Sequence, residues 1–297
     1  QAVQSLEFQL AIDIYINETT SQADLILPTT TPLEHDHYDI AFLKLAVRDH
    51  ARYNEPVFDP PEGALHDWQI FNGLAERISR LQGREFQPLP SPDVLLGMGL
   101  RHGPYGSEET SENAVTLERL KNSPHGIDLG PLKPGAVQRL CTEDKMIDLL
   151  PALYQQELAR LDADEFQADD LLLIGRRHLR CNNSWLHNSH RLTKGKPRWQ
   201  LLMHPDDLEQ RDLADGDTVK VESRAGSVTT VVAASDDMMS GVVSLPHGWG
   251  HDEPDAQLSI ANQQQGANCN ALTDDQWFDA ASGNAALNGV PVKVSAA

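Results

Sequence analysis

The sequence predicts an α/β segment followed by a mostly β domain, with an irregular helical stretch between them. Three observations carry that reading. Two short apolar runs near the start, separated by a polar loop, precede a single long amphipathic stretch from Asp67 to Leu81. Beyond residue 168 the apolar runs are short, rich in valine and threonine, and broken by Gly, Asp and Pro turns, as in a compact β-barrel. Between the two, proline and glycine recur too often for any long element. The expected domains are residues 1–86, 87–167 and 168–297.

Leu10, Ile12, Ile14 and Ile16 alternate with Ala11, Asp13 and Tyr15, which predicts one period-two strand. A second, Leu25 to Leu27, is stopped by Pro28. Two close strands joined by a polar loop read as the tail of a larger sheet, and Glu18 and Thr19 fall at the ligand-binding edge of such a sheet. Glu34-His35-Asp36-His37 offers two imidazoles and two carboxylates, but neighbours in sequence make an incomplete metal site. It reads instead as a solvated turn or the wall of a substrate entrance. Phe71, Leu74, Ala75, Ile78 and Leu81 share a helical stripe expected to pack on the sheet, with Asp67 as N-cap and Gly83 as stop.

Gly97 to Gly106 and Pro124 to Gly135 read as turns and loops. Ser111 is expected to cap a helix through Leu120, and Thr142 another that Pro151 interrupts. Leu161 to Asp170, with five acidic residues, reads as the main linker. After it, Val219 and Val221 lead into a turn at Arg224-Ala225-Gly226, and Ser227 to Ala234 returns as a hairpin. Gly241 to Leu245 is a further strand.

Composition narrows the function classes. Hydrophobic residues at 40% and charged residues at 23% are ordinary for a globular chain. No apolar run approaches the roughly 20 residues needed to cross a bilayer. A net charge of −20 argues against a nucleic-acid partner, since counterion release needs a broad basic face. Cys141, Cys181 and Cys269 are too widely spaced for a CxxC knuckle and too few for a disulfide framework, which favours a reducing compartment and hence the cytoplasm. Gln1 in place of Met reads as an internal point of a longer polypeptide. The nucleophile-elbow, HExxH, P-loop and GxGxxG patterns are all missing, so hydrolase and phosphate-loop chemistries lack a starting residue.

One stretch looks like a site. Leu171 to Ile174 is a short buried strand, and Gly175 opens into Arg176, Arg177, Arg180, Asn182, Ser184, Trp185, His187 and Asn188. Seven of the 24 Lys+Arg fall between residues 171 and 205, and no Asp or Glu does, where composition would place about five. A cationic field inside an acidic protein points to an anionic ligand, and the amides and imidazoles can read the edge of a heterocycle. His247, Trp249 and His251, set between glycines, can close over such a ligand. Asn268 and Asn270 would point the same way in an extended segment. Two other readings stay open: a non-catalytic barrel that binds an anionic heterocycle, and a zinc enzyme using His35, His37, His247 or His251.

The order of these motifs resembles a known family. Gly175-Arg176-Arg177 after a strand, then Asn182-Asn183-Ser184-Trp185-Leu186-His187-Asn188, is similar to the start of the C-terminal domain of the molybdopterin guanine dinucleotide oxidoreductases, which include formate dehydrogenases, nitrate reductases and dimethyl sulfoxide reductase. His204 to Asp207, Asp215 to Val219, Leu245 to His251 and Gly266 to Thr273 resemble that domain's later motifs. Asn17 to Thr20, Ala23 to Pro28 and Pro32 to Glu34 resemble the end of its preceding Rossmann-like domain. The resemblance is weakest between about Gln87 and Asp164.

It implies a double-psi β-barrel and a bis(molybdopterin guanine dinucleotide) cofactor carrying molybdenum or tungsten. Gly175, Arg176, Arg177 and Arg180 would meet phosphate or pterin; Asn182, Ser184, His187 and Asn188 would hydrogen-bond it; Trp185 and Trp249 would shield it. It further implies a small-molecule substrate and an electron-transfer subunit or protein as partner. The family's metal ligand and its frequent iron-sulfur cluster belong to an N-terminal part that this chain does not contain, so no catalytic or metal-ligating residue is assigned.

Overall fold

The structure, a computed structural model, describes residues 3–106, 114–161 and 170–297. The chain packs as two compact units, one of residues 1–15 and 22–146, the other of residues 16–21 and 147–297. The short segment Ile16–Ser21 therefore belongs with the second unit, although its neighbours on both sides belong to the first.

In the first unit, β1 (Leu10–Ile12) pairs in parallel with β2 (Leu25–Leu27). The strand expected to reach Ile16 stops early because the Tyr15 N–H turns back onto Asp13 Oδ1 at 3.0 Å. β3 (His37–Tyr38), β4 (Arg48–Ala51) and β5 (Tyr53–Asn54) follow; β3 pairs antiparallel with β5. α1 (Asp67–Leu81) runs over the expected residues, but His66 is its N-cap in a capping box with Gln69, and Asp67 is the first helical residue. Its predicted stripe stays largely open: Phe71, Ile78 and Leu81 are exposed, and the buried residue is Ile70.

α2 (Pro92–His102) runs into the Gly97 to Gly106 stretch expected to be turn-rich; Pro92 starts it at the position where a missing N–H costs nothing. α3 (Leu117–Lys121) is capped by Thr116, whose hydroxyl accepts from Arg119 N at 3.1 Å. The predicted cap, Ser111, lies outside the described residues. β6 (Ile127–Pro131) pairs antiparallel with β4 inside the expected Pro124 to Gly135 loop. Ala51, Tyr53, Val115, Leu120 and Ile127 form this unit's core.

Beyond Ile16–Ser21, the second unit resumes after residue 146 with α4 (Ala152–Leu161). Thr142 caps no helix: its hydroxyl donates to the Met146 carbonyl at 2.9 Å, and Pro151 begins a helix rather than interrupting one. β7 (Leu171–Arg176), α5 (His190–Thr193), β8 (Leu201–Met203), α6 (Pro205–Glu209), β9 (Thr218–Glu222), β10 (Ser227–Ala234), β11 (Val242–Pro246) and β12 (Val290–Ala296) complete it. Six strands close into a barrel in the order β10-β8-β11-β7-β12-β9. β7 pairs in parallel with β11 and β8 with β10, while the remaining contacts are antiparallel. This interleaving of two parallel pairs is the double-psi β-barrel.

Alternation explains why the barrel closes. Leu171, Leu173, Leu201, Met203, Val219, Val221, Val243, Leu245, Val290, Val292 and Val294 all point inward and are buried. Each such side chain contributes about 1.5–3 kcal/mol, and closure leaves no free strand edge. The predicted hairpin is present, with Ser227 opposite Glu222. Buried Asp207 ties α6 to the start of β11 by accepting from Ser240 Oγ at 2.9 Å and Gly241 N at 2.8 Å.

One consequence of the topology places the site. In the parallel β7–β11 pair, Gly175 lies beside Leu245 and Arg176 beside Pro246, so both strands end at the same rim. The loops that leave them, carrying the two richest polar motifs, start side by side.

Candidate functional site: three loops at one rim of the barrel

The His247 N–H donates to the Arg176 carbonyl at 2.9 Å, fixing the β11 loop against the end of β7. Gly248, at φ +85°, would place a Cβ only 2.3 Å from the Asn183 carbonyl oxygen. Gly250, at φ +88°, would place one 2.3 Å from Asn268 N. The Gly248–Gly250 segment is thus held between Asn183 on one side and Asn268 on the other. Only glycine fits at either place. Asn182 and Asn183 adopt φ of 42° and 61°, the left-handed region that asparagine tolerates better than most residues.

A chain of side chains runs beneath these loops. His187 and His251 are 1% and 5% exposed, and His187 Nδ1 lies 2.9 Å from His251 Nε2. His251 Nδ1 in turn lies 2.7 Å from Glu18 Oε1. Trp249, also buried, stacks on His187 with ring centroids 4.1 Å apart. His187 is pushed down to about 4 by burial and then by His251, Arg198 and His247, with the Gly248 carbonyl opposing them. Among the described residues, His187 Nε2 and Arg198 Nε are buried without a hydrogen-bond partner at ordinary distance.

Arg176 is a clamp. Its guanidinium donates to the carbonyls of Ser244 (3.0 Å), Gln200 (2.8 Å) and Arg198 (3.3 Å), joining β11 to the segment that enters β8, and burial lowers its pKa. The Gly175 N–H, expected to face a ligand, donates to Asn288 Oδ1 at 2.8 Å. Asn188 Oδ1 accepts from Ile260 N and Ala261 N at 2.8 and 3.2 Å. Asn268 and Asn270 are both exposed but do not form the expected extended pair. Asn268 Oδ1 accepts from Asn270 N at 3.0 Å and starts a 3₁₀ turn over Cys269–Leu272, in which residues two apart leave on different sides.

Arg177, Arg180, Asn182, Ser184 and Trp185 are exposed along the β7 loop, Trp185 to 69%. Thr19 is exposed as well, its N–H bonded to Asn17 Oδ1. A cavity of about 210 Å³ opens at the rim, lined by Gly175, Arg177, His247 and Asn270 together with Thr273 and Asn288. Thr273 closes the Gly266 to Thr273 motif, whereas Asn288 carried no local signal and sits in a short polar turn like many others. Among the described residues, none of the seven cations between 171 and 205 is paired with a carboxylate. His178 is held below its ordinary value by burial and then by Arg198, Arg180 and Arg176, a sign of the same field. No group of three or more His, Cys, Asp or Glu among the described residues is arranged to hold a metal ion, which removes the support for the zinc reading.

Residues 171–291 match the family model for the molydopterin dinucleotide binding domain, and residues 1–77 match that for molybdopterin oxidoreductase. The chain is 24% identical over 290 residues to the dimethyl sulfoxide/trimethylamine N-oxide reductase of Rhodobacter capsulatus, covering 86% of this chain and 34% of that one. It is 25% identical over 274 residues to the F420-dependent formate dehydrogenase subunit alpha of Methanocaldococcus jannaschii, covering 88% and 37%. The chain thus spans about a third of the length of these curated relatives. In fold it is similar to acetylene hydratase from Pelobacter acetylenicus, with a TM-score of 0.69 at 17% identity, over 99% of this chain and 41% of that one. The chain belongs to the molybdopterin oxidoreductase family.

Proposed function

We propose that the barrel rim formed by residues 177–188, 247–251 and 266–270 holds part of a bis(molybdopterin guanine dinucleotide) cofactor. The observation that carries this reading is that Arg177 and Arg180 lie in the rim loops and, like the other five cations of residues 171–205, form no ion pair with a carboxylate among the described residues, in a chain of net charge −20. Such a field stabilises a pyrophosphate and repels cations. The donor set suits the group: Arg177, His247 and Asn270 line one cavity, and Arg180, Asn182, Ser184 and Asn268 stay open to solvent beside it. Trp185, exposed and aromatic, would cover a bound ring. Gly175, Arg176, Asn188, Trp249, His187 and His251 would support the rim from beneath, and Glu18 and Thr19 would reach it through the Ile16–Ser21 segment.

When bound, the cofactor supplies the molybdenum or tungsten centre and its two-electron chemistry. The residues named here bind and orient it and exclude water. The activity we assign to the protein is oxidoreduction of a small molecule, with electrons exchanged with a partner subunit or protein. The relatives named as a dimethyl sulfoxide reductase and a formate dehydrogenase support that class and differ in substrate.

Loss of one charge-assisted contact costs about 1.5–3 kcal/mol, so Arg177→Ala is expected to weaken cofactor binding by about tenfold or more. The check is the metal and releasable GMP per polypeptide in protein purified from its own cells, with Lys220→Ala on β9 as control. Equal cofactor content in Arg177→Ala and the control would contradict the proposal.

A further inference from the structure

The first unit holds a cavity of about 690 Å³, a size that suits a small organic molecule. One wall is a stripe of α2, made of Pro92, Leu95, Leu96, Gly99, Leu100 and Gly103, which are spaced as one helical face. Strands β3 to β6 supply much of the rest.

Two local irregularities shape this space. Gly99 sits inside the α2 stripe, where an added Cβ would have nothing within 4 Å. Leucine there would strengthen both the helix and its apolar face, so the glycine leaves room at a cost in stability. β4 is bulged between Asp49 and His50. Neighbours in a regular strand point to opposite faces, yet here both line the cavity, so the bulge brings Asp49 to it.

The polar lining favours positive charge. Asp36 and Asp49 both line the cavity, and neither is ion-paired among the described residues. Asp36 Oδ2 accepts from Tyr53 Oη at 2.5 Å, and its Oδ1 is unbonded among the described residues. His37 and His50 add imidazoles; His50 Nδ1 donates to the Arg48 carbonyl at 3.3 Å, which leaves Nε2 as an acceptor. Tyr38, Tyr53 and Tyr105 contribute aromatic rings. No lysine or arginine is among the lining residues, and Lys121, whose Nζ lies 5.3 Å from the Tyr53 ring centroid, is outside the lining. Burial first, then the bond to Asp36 and the charges of Asp36, Asp93 and Glu55, raise Tyr53 above its ordinary value, a sign of the same negative field. Carboxylates and tyrosine rings together attract a cation, and the leucines beside them suit a carbon skeleton. We propose that the cavity binds an organic ammonium ion, with its apolar body along α2 and its charged head against Asp36, Asp49 and the tyrosine rings. An anion is repelled there, and a bare metal ion would leave the leucines unused.

The test uses the 297-residue chain without cofactor, titrated calorimetrically with octyltrimethylammonium, octanol and octyl sulfate below micelle-forming concentrations. The probes share one apolar body and differ in charge. The ammonium should bind about tenfold or more tightly than the alcohol, and the sulfate more weakly than either. Gly99→Leu, which fills the cavity, should lose about tenfold or more in ammonium affinity while its thermal unfolding midpoint holds or rises. Asp49→Asn should weaken the ammonium by about threefold or more and leave the alcohol unchanged. Asp237→Asn, at an exposed position of the second unit, removes the same charge and should change neither. Three outcomes would overturn the proposal: no preference for the ammonium, unchanged ammonium binding in Gly99→Leu, or equal weakening by Asp49→Asn and Asp237→Asn. The last would mean that the net charge of −20 alone attracts the cation. Because no cofactor is present, these outcomes are independent of whether the barrel rim binds one.

Discussion

Gly248→Ala should lower the stability of the barrel unit by about 3 kcal/mol or more and strip the rim of cofactor. Two costs add: about 1–2 kcal/mol for an L-residue held in the left-handed region, and about 1–3 kcal/mol for a Cβ forced against packed atoms. Those atoms are the Asn183 carbonyl oxygen and carbon, at 2.3 and 2.7 Å, and a backbone carbonyl cannot swing aside as a side chain can. Gly216 offers an internal control, because at φ +91° it has nothing within 4 Å of its would-be Cβ. Gly216→Ala should therefore carry only the first cost. Urea unfolding of the two variants should differ by about 2 kcal/mol; equal losses would mean that the close packing of the Gly248–Gly250 segment contributes nothing.

The second large effect is acid lability. His187 is held near 4 in the folded chain against an ordinary value of 6.5. Below pH 6.5 the unfolded chain binds a proton that the folded chain refuses, so this contribution is complete above that pH and is lost as pH falls toward 4. Below 4 both states are protonated and the loss is constant. Its size is about 3 kcal/mol. Many carboxylates titrate over the same range, so the informative quantity is a difference: between pH 6.5 and 4 the wild type should lose about 3 kcal/mol more than His187→Gln. Parallel stability curves for the two proteins would show that His187 is not held neutral by its burial.

Local order was legible wherever it depended on neighbours in sequence. The β9–β10 hairpin could be read because β-branched runs flank Arg224-Ala225-Gly226, and α1 because its apolar spacing is helical. Spacing says nothing about what covers a stripe, and Phe71, Ile78 and Leu81 remain exposed. The helix Pro92–His102 was hidden because Gly97 and Gly99 read as turn residues, whereas in place each costs only about 1 kcal/mol of helix propensity.

The site divides in the same way. Arg177, His247 and Asn270 are polar residues in motifs, and the structure gathers them at one cavity. Arg176 reads identically in sequence, yet its guanidinium is occupied by three carbonyls from β11 and the approach to β8. Which arginine faces a ligand and which is a clamp depends on a parallel pairing of β7 with β11 that no local pattern encodes. The Glu18–His251 contact, across 233 residues, is further still from local inference.

The central claim is that the cofactor lies against the three loops of one rim. Hydrogen–deuterium exchange, compared between cofactor-loaded and cofactor-free protein, tests it most directly. Loading should protect amides in residues 177–188, 247–251 and 266–270 while leaving the Arg224–Gly226 turn unchanged. Protection centred on that turn, or unchanged exchange in all three loops, would contradict the assignment.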